Sequence, residues 1–208
     1  MKTDLRRPLE TSWEDWTLGG GARACFADPA LPLEVEIGPG EDDALLLHAQ
    51  RHPDRNWLGI EYSRKRVKRY VRRVLERDGA LGNLRLAWRP AADVIRPFLT
   101  PARVDSYHVY FPDPWPKKHH HRYRLLTPAF LGDLRDSLVP GGEIRLATDH
   151  RAYAEAIVEA FEAAGGLENL HAPPGFTTPG PSTKVTVFED RWRAMGRTIH
   201  ALRLRRPA

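Results

Sequence analysis

Apolar and polar positions along the chain follow two rhythms, and the switch from one to the other recurs. "LPLEVEIG" (31–38) reads as a strand running into glycine, and "EDDALLLHAQRH" (41–52) follows with helical spacing at Ala44, Leu45, Leu47 and His48. "NWLGIEY" (56–62) is a second strand. "SRKRVKRYVRRVLERDG" (63–79) is a helix that opens on Ser63 as N-cap, stops at Gly79, and buries a stripe of Val67, Tyr70, Val71, Val74 and Leu75. "NLRLAW" (83–88) predicts a third strand, "AADVIRPFL" (91–99) a short helix, and "VDSYHVYF" (104–111) a fourth strand. "TPAFLGDLRDSLVPGG" (127–142) reads as a helix with Thr127 as N-cap, Pro128 at its first position and glycines at its end. "EIRLAT" (143–148) is a fifth strand, "HRAYAEAIVEAFEAAGG" (150–166) a helix, and "TIHALRLRR" (198–206) alternates like a last strand. Residues 1–31 mix Pro, Gly and charge and are expected to form an irregular arm, while 171–184 is the clearest long loop.

Strands alternating with helices indicate βαβ units, hence an α/β fold with a mostly parallel sheet covered by helices on both faces. In such a sheet, ligands bind at the carboxyl ends of the strands, near the topological switch point. The expected domain runs from 32 to 208.

Composition narrows the partners. Thirty-two Lys and Arg against 27 Asp and Glu give a net charge of +5 among 208 residues, which favours polyanionic partners such as nucleic acid. Cys25 is the single cysteine, so an internal disulfide is excluded and a reducing compartment is expected. No apolar run reaches the roughly 18–20 residues that span a bilayer, and "MKTDLRRPLE" has no apolar signal core. The expectation is a cytoplasmic protein with no membrane partner.

The first strand ends in "EVEIGPGED" (34–42). Gly38 and Gly40 permit a tight turn and close backbone approach to a ligand. A dinucleotide fingerprint would place a third glycine at position 43, where Asp43 stands, and the acidic residues at this helix start repel a pyrophosphate. An adenosyl ligand without phosphate fits better, and S-adenosylmethionine is one. Its sulfonium and amino group are cationic, which suits Glu36 beside the glycines. Glu61, twenty-one positions after Gly40, ends the second strand where a carboxylate can accept from both ribose hydroxyls. A plain turn and a solvated strand end are the alternative readings of these residues.

"YFPDPWPKKHHHRYR" (110–124) carries the substrate chemistry. Proline fixes its own φ and disfavours helical geometry in the residue before it, so Pro112, Pro114 and Pro116 are expected to hold Asp113 and Trp115 extended. A carboxylate fixed in this way can accept two donors from guanine's Watson–Crick edge. Trp115 can stack on a base or pack beneath the loop. Lys117, Lys118, Arg122 and Arg124 supply phosphate contacts. The run His119, His120, His121 lacks a Cys or carboxylate at ligand spacing, so no metal is expected. Asp149, after the fifth strand, can meet substrate or cap the next helix, and "STKVTVFEDRW" places the Thr186 hydroxyl near the Glu189 carboxylate.

Together "EIGPG", "GIEY", "YFPDPWPKKHHHRYRL", "ATD" and "TVFE", in this order, resemble the bacterial single-chain tRNA (guanine-N7-)-methyltransferases from about residue 33 onward. The resemblance implies a Rossmann-like class I methyltransferase with a mostly parallel seven-stranded sheet, S-adenosyl-L-methionine as donor, and N7 of guanine 46 in tRNA as acceptor. It implies cofactor contacts for Glu36, Gly38, Gly40, Glu61 and Asp113, a catalytic part for Asp113, and substrate contacts for Lys117, Asp149, Thr186 and Glu189. It implies no obligatory protein partner, as a monomer or homodimer. Three departures stand out: Val187 replaces the family's lysine, Pro90 falls where an acidic residue or asparagine meets the adenine, and Glu41 and Asp42 follow the glycine turn. A non-catalytic RNA-binding protein on this fold and an exocyclic-amine methyltransferase remain open at this point.

Overall fold

The computed structural model describes residues 10–11, 25–77, 81–99, 103–178 and 187–208. They fall into two compact units, Met1–Thr100 and Pro101–Ala208.

In the first unit, β1 (Glu10–Thr11), β2 (Leu33–Ile37), β3 (Asn56–Glu61) and β4 (Leu84–Trp88) pair in parallel in the order β1-β4-β3-β2. Among the described residues the sheet has eight strands, where the sequence rhythm gives six and the resemblance implies seven; the two-residue β1 is one that no rhythm marks. Every residue of β2 and β3 is buried, the pattern of a parallel sheet covered on both sides. Helix α1 (Ala44–Arg51) and helix α2 (Arg64–Arg77) pack Leu45, Leu46, Val67, Tyr70, Val71 and Val74 with Trp57, Leu84 and Leu86 into one core. At that core Gly59 is needed for its size. A Cβ there would lie 2.6 Å from Leu45 Cδ2 and 2.9 Å from Leu86 Cδ2.

The start of α1 is satisfied from outside the helix. Ala44 N–H donates to Asp42 Oδ1 (3.0 Å) and Leu46 N–H to the Tyr70 phenol oxygen (2.9 Å). Its far end is tied down by Asn83, whose amide donates to the carbonyls of Ala49, His52 and Arg55. Ser63 does sit just before α2, with its carbonyl accepting from Val67 N–H (3.0 Å). The expected stop at Gly79 lies outside the described residues. The short helix predicted at 91–99 is α3 (Ala91–Val94) running into a π-helical turn, Ile95–Leu99.

The second unit orders its strands β5-β6-β8-β7: β5 (Val104–Tyr110), β6 (Leu138–Thr148), β7 (Glu168–Asn169) and β8 (His200–Arg205). β5 and β6 are parallel, whereas β8 runs antiparallel to both β6 and β7. Helix α4 (Pro128–Ser137) has the expected N-cap, with Thr127 Oγ1 accepting from Phe130 N–H (3.2 Å) and proline in its first turn. Its expected glycine end is corrected. The helix stops at Ser137, and Gly141 and Gly142 belong to β6. Gly142 cannot gain a Cβ, which would meet the carbonyl oxygens of Val139 and Asp105 at 2.9 and 3.0 Å. Helix α5 (Arg151–Ala164) packs on α4, and Arg135 of α4 caps its end by donating to the carbonyls of Ala164 and Gly165. Helix α6 (Val187–Ala194) emerges in a stretch whose sequence gives no helical rhythm.

Candidate active site

The cofactor-type residues lie in the first unit. β2 delivers Glu36 to its carboxyl end, where the chain turns through Gly38 (φ +73°) and Gly40 (φ +61°). A side chain would have room at both positions, so the glycines are there for their left-handed backbone rather than for space. Glu36 is 3% exposed, and its Oε2 has no hydrogen-bond partner. Burial, aided by the neighbouring Asp42 charge, pushes its carboxyl up to about 8. β3 delivers Glu61, equally buried. Its Oε1 accepts from Ser63 N–H (2.8 Å), while Oε2 has no hydrogen-bond partner and Arg66 Nη1 stands 3.9 Å away.

Two buried carboxylates, each with an oxygen left over, sit at the ends of adjacent strands. Leaving such groups without partners is costly in a folded chain. These acceptor oxygens fit a ligand that brings positive charge and hydroxyl or amine donors. They do not fit a phosphate. After β4, Pro90 precedes α3 with no side-chain hydrogen bond to offer. Trp88 beside it is 42% exposed, donates Nε1–H to the Tyr62 carbonyl (3.0 Å), and has the Arg64 guanidinium 4.7 Å over its ring.

The substrate-type residues lie in the second unit. Phe111 N–H donates to the Ala147 carbonyl (2.8 Å), which carries the β5–β6 ladder one residue past the strand. The loop then departs from expectation. Phe111 has φ +51° and Trp115 has φ +43°, so Trp115 is left-handed, not extended. Proline's preference is overridden by contacts: the Trp115 ring lies against His120 (5.5 Å) and Tyr123 (5.4 Å), and Arg124 Nε donates to the Pro114 carbonyl (2.9 Å). Strained residues before Pro112 and Pro116 thus bracket Asp113, a pattern typical of functional loops. Asp113 itself is exposed.

Lys117 precedes a 3-10 turn, Lys118–Tyr123, whose first bond runs from His120 N–H to the Lys117 carbonyl (2.8 Å). Lys117, Lys118 and Arg122 point to solvent. Among the described residues no group of histidine, cysteine and acidic side chains could hold a metal.

Two residues were missed at this loop, Arg124 in its linking role and Tyr153. The Arg124 guanidinium lies 4.9 Å over the Tyr153 ring of α5, so one side chain joins the Pro114 carbonyl to a buried aromatic. Burial pushes the Tyr153 phenol up, and the Asp113 charge adds to the rise. Arginine in a basic tail reads as a phosphate contact, and nothing in the sequence marks it as a brace.

Asp149 follows β6, and the helix cap beside it is His150, whose Nδ1 accepts from Tyr153 N–H (3.3 Å). The carboxylate is therefore not capping. It is ion-paired with Arg197, whose guanidinium also lies 4.0 Å over the Trp192 ring. Arg197 reaches it because α6 ends in a glycine turn: Gly196 (φ +74°) donates to the Arg193 carbonyl, and Arg197 N–H returns to that of Trp192. Glu189 is fully buried on α6 and takes two bonds from Arg193 (2.8 and 2.6 Å). Thr186 lies outside the described residues.

Residues 30–202 match the family model described as "Putative methyltransferase". The tRNA (guanine-N(7)-)-methyltransferase of Halorhodospira halophila is 38% identical over 83% of this chain and 74% of its own. That of Thiobacillus denitrificans is 38% identical over 88% and 78%. The chain belongs to the tRNA (guanine-N(7)-)-methyltransferase family. Solved structures agree on the fold. A 16S rRNA methyltransferase, KamB, superposes with TM-score 0.62 at 17% identity, covering 85% of this chain and 88% of that one. A methyltransferase from Pyrococcus furiosus gives 0.58 at 18% identity, covering 86% and 76%. The fold is the α/β, Rossmann-like class I methyltransferase fold, and family membership implies a methyl donor. No described helix is long and apolar enough to cross a membrane.

Proposed function

We propose that this chain transfers a methyl group from S-adenosylmethionine to N7 of guanine 46 in tRNA. The observation that carries the reading is the pair of buried, half-satisfied carboxylates, Glu36 and Glu61, in a chain of this family. Glu36 holds the cationic amino acid end of the donor and Glu61 the ribose hydroxyls, with Gly38 and Gly40 letting the backbone approach. Asp113 serves donor and guanine alike, and Lys117, Asp149, Thr186 and Glu189 form the substrate side. Glu189 acts through its bonds to Arg193. When bound, S-adenosylmethionine supplies a methyl group on a sulfonium that departs as a neutral thioether.

N7 of guanine already carries a lone pair, so no proton has to leave before attack. The residues therefore have a positioning task, which supplies roughly 7–11 kcal/mol in well-oriented reactions. Charge develops on the purine during transfer, and the Asp113 carboxylate stabilises it. The braced backbone around Asp113 limits reorganisation as this happens. The test is incubation with labelled S-adenosylmethionine and unmodified tRNA, followed by nucleoside analysis. Label in 7-methylguanosine is the expected result. Label on an exocyclic amine, or none, overturns the reading.

A further inference from the structure

Eight of the fourteen residues of α2 are Lys or Arg, and the structure sorts them. Arg69 pairs with Glu41, Arg73 and Arg77 pair with Asp43 (2.9 and 3.0 Å), and Arg66 faces Glu61. At roughly 100° per residue these four occupy one arc beside the buried stripe, and Arg69, Arg73 and Arg77 neutralise the acidic start of α1. Arg64 lies over Trp88. Three cations are left. Lys65, Lys68 and Arg72 are exposed and make no ion pair or hydrogen bond among the described residues. They fall within about 60° of one another around the helix, on the face roughly opposite the buried stripe, and span about 10 Å along it.

Spacings of three and four residues bring Lys65, Lys68 and Arg72 together, so the free helix bears uncompensated like-charge repulsion. Glu76, its one acidic residue, forms no ion pair with them. The row begins one turn from Glu61, at the strand edge where the donor is proposed to bind. We infer that Lys65, Lys68 and Arg72 form a second phosphate-binding surface that holds the tRNA backbone, separate from the Lys117–Arg124 segment. This rests on the tRNA methyltransferase reading, and it assigns to α2 a share of the affinity that the loop alone would otherwise carry.

The test measures tRNA binding between 50 and 200 mM salt. For the triple variant Lys65→Gln, Lys68→Gln, Arg72→Gln, the slope of log K against log salt is expected to flatten by about 3, with affinity falling about tenfold or more. S-adenosylmethionine binding and turnover at saturating tRNA stay unchanged. Lys68→Glu alone creates a favourable Glu–Arg pair four residues apart. It is expected to raise Tm while weakening tRNA binding, opposite movements that a purely structural role would not produce. Unchanged tRNA affinity and slope in both variants overturn the inference. So does loss of binding to phosphatidylserine vesicles with tRNA binding intact. A wild-type chain that makes no 7-methylguanosine overturns the parent reading instead, and is told apart because it fails before any variant is compared.

Discussion

Replacing Glu36 with glutamine should make the ligand-free protein more stable at neutral pH while weakening its hold on the donor. In the folded chain Glu36 keeps its proton up to about pH 8, against an ordinary 4.5, because burial and then Asp42 disfavour the charge. Below pH 4.5 both folded and unfolded states carry the proton and the site is neutral to stability. Between 4.5 and 8 the unfolded chain alone ionises, so stability contributed by the protonated form is lost as pH rises. At about 1.4 kcal/mol per pH unit, the folded state is disfavoured by about 3 kcal/mol at pH 7. Glutamine does not titrate. The stability difference between variant and wild type, from urea unfolding, should therefore widen by about 3 kcal/mol between pH 5 and pH 8. A fixed cost for burying the amide shifts the whole curve but not its slope. A difference that stays constant across that range would refute the reasoning. The cationic amino group of the proposed donor, S-adenosylmethionine, favours the ionised carboxylate, so calorimetry in two buffers at pH 7 should show close to one proton released on binding by wild type and none by Glu36→Gln.

Asp113→Asn should abolish methyl transfer while leaving tRNA affinity within about twofold, checked by single-turnover kinetics beside a binding titration; near-normal turnover would remove Asp113 from the chemistry. Arg124→Lys retains charge but loses the planar reach from the Pro114 carbonyl to the Tyr153 ring, so kcat should fall about tenfold or more with S-adenosylmethionine affinity unchanged. A purely phosphate-binding Arg124 would show a raised KM for tRNA instead. Arg197→Ala removes a partly exposed partner of Asp149 and should cost less than about 1 kcal/mol of stability. If Asp149 meets the substrate, the freed carboxylate should lower KM for tRNA several-fold, whereas an unchanged KM places it outside recognition.

The regular elements were legible because their determinants are local. Thr127 and Pro128 start α4 wherever that segment folds, and the glycines after β2 declare a left-handed turn. What escaped depends on partners far along the chain. Arg69 and Glu41 are 28 positions apart, so nothing in "RKRVKRYVRRVLER" separates arginines that neutralise α1 from cations that face solvent. Trp115 was expected extended from the proline rule alone, and ring contacts with His120 and Tyr123 overrule it. The cap reading of Asp149, the alternative to substrate contact, rests on aspartate suiting that position, yet His150 fills it. Helix α6 gave no warning in the sequence, although Gly196 past its end carries the stop signal.

The Tyr70 phenol and the Asp42 carboxylate occupy two of the first three N–H groups of α1. A helix start after a glycine turn is ordinarily a ready cradle for phosphate. Here two of the N–H groups that a phosphate would use are already bonded, and three acidic side chains, Glu41, Asp42 and Asp43, stand beside them. If the donor is S-adenosylmethionine, as proposed, nucleotides that share its adenosine but carry phosphate should bind poorly here by pre-emption, with no clash required. Trimming Tyr70 to phenylalanine would reopen one donor, and with it the first route by which such a competitor could enter.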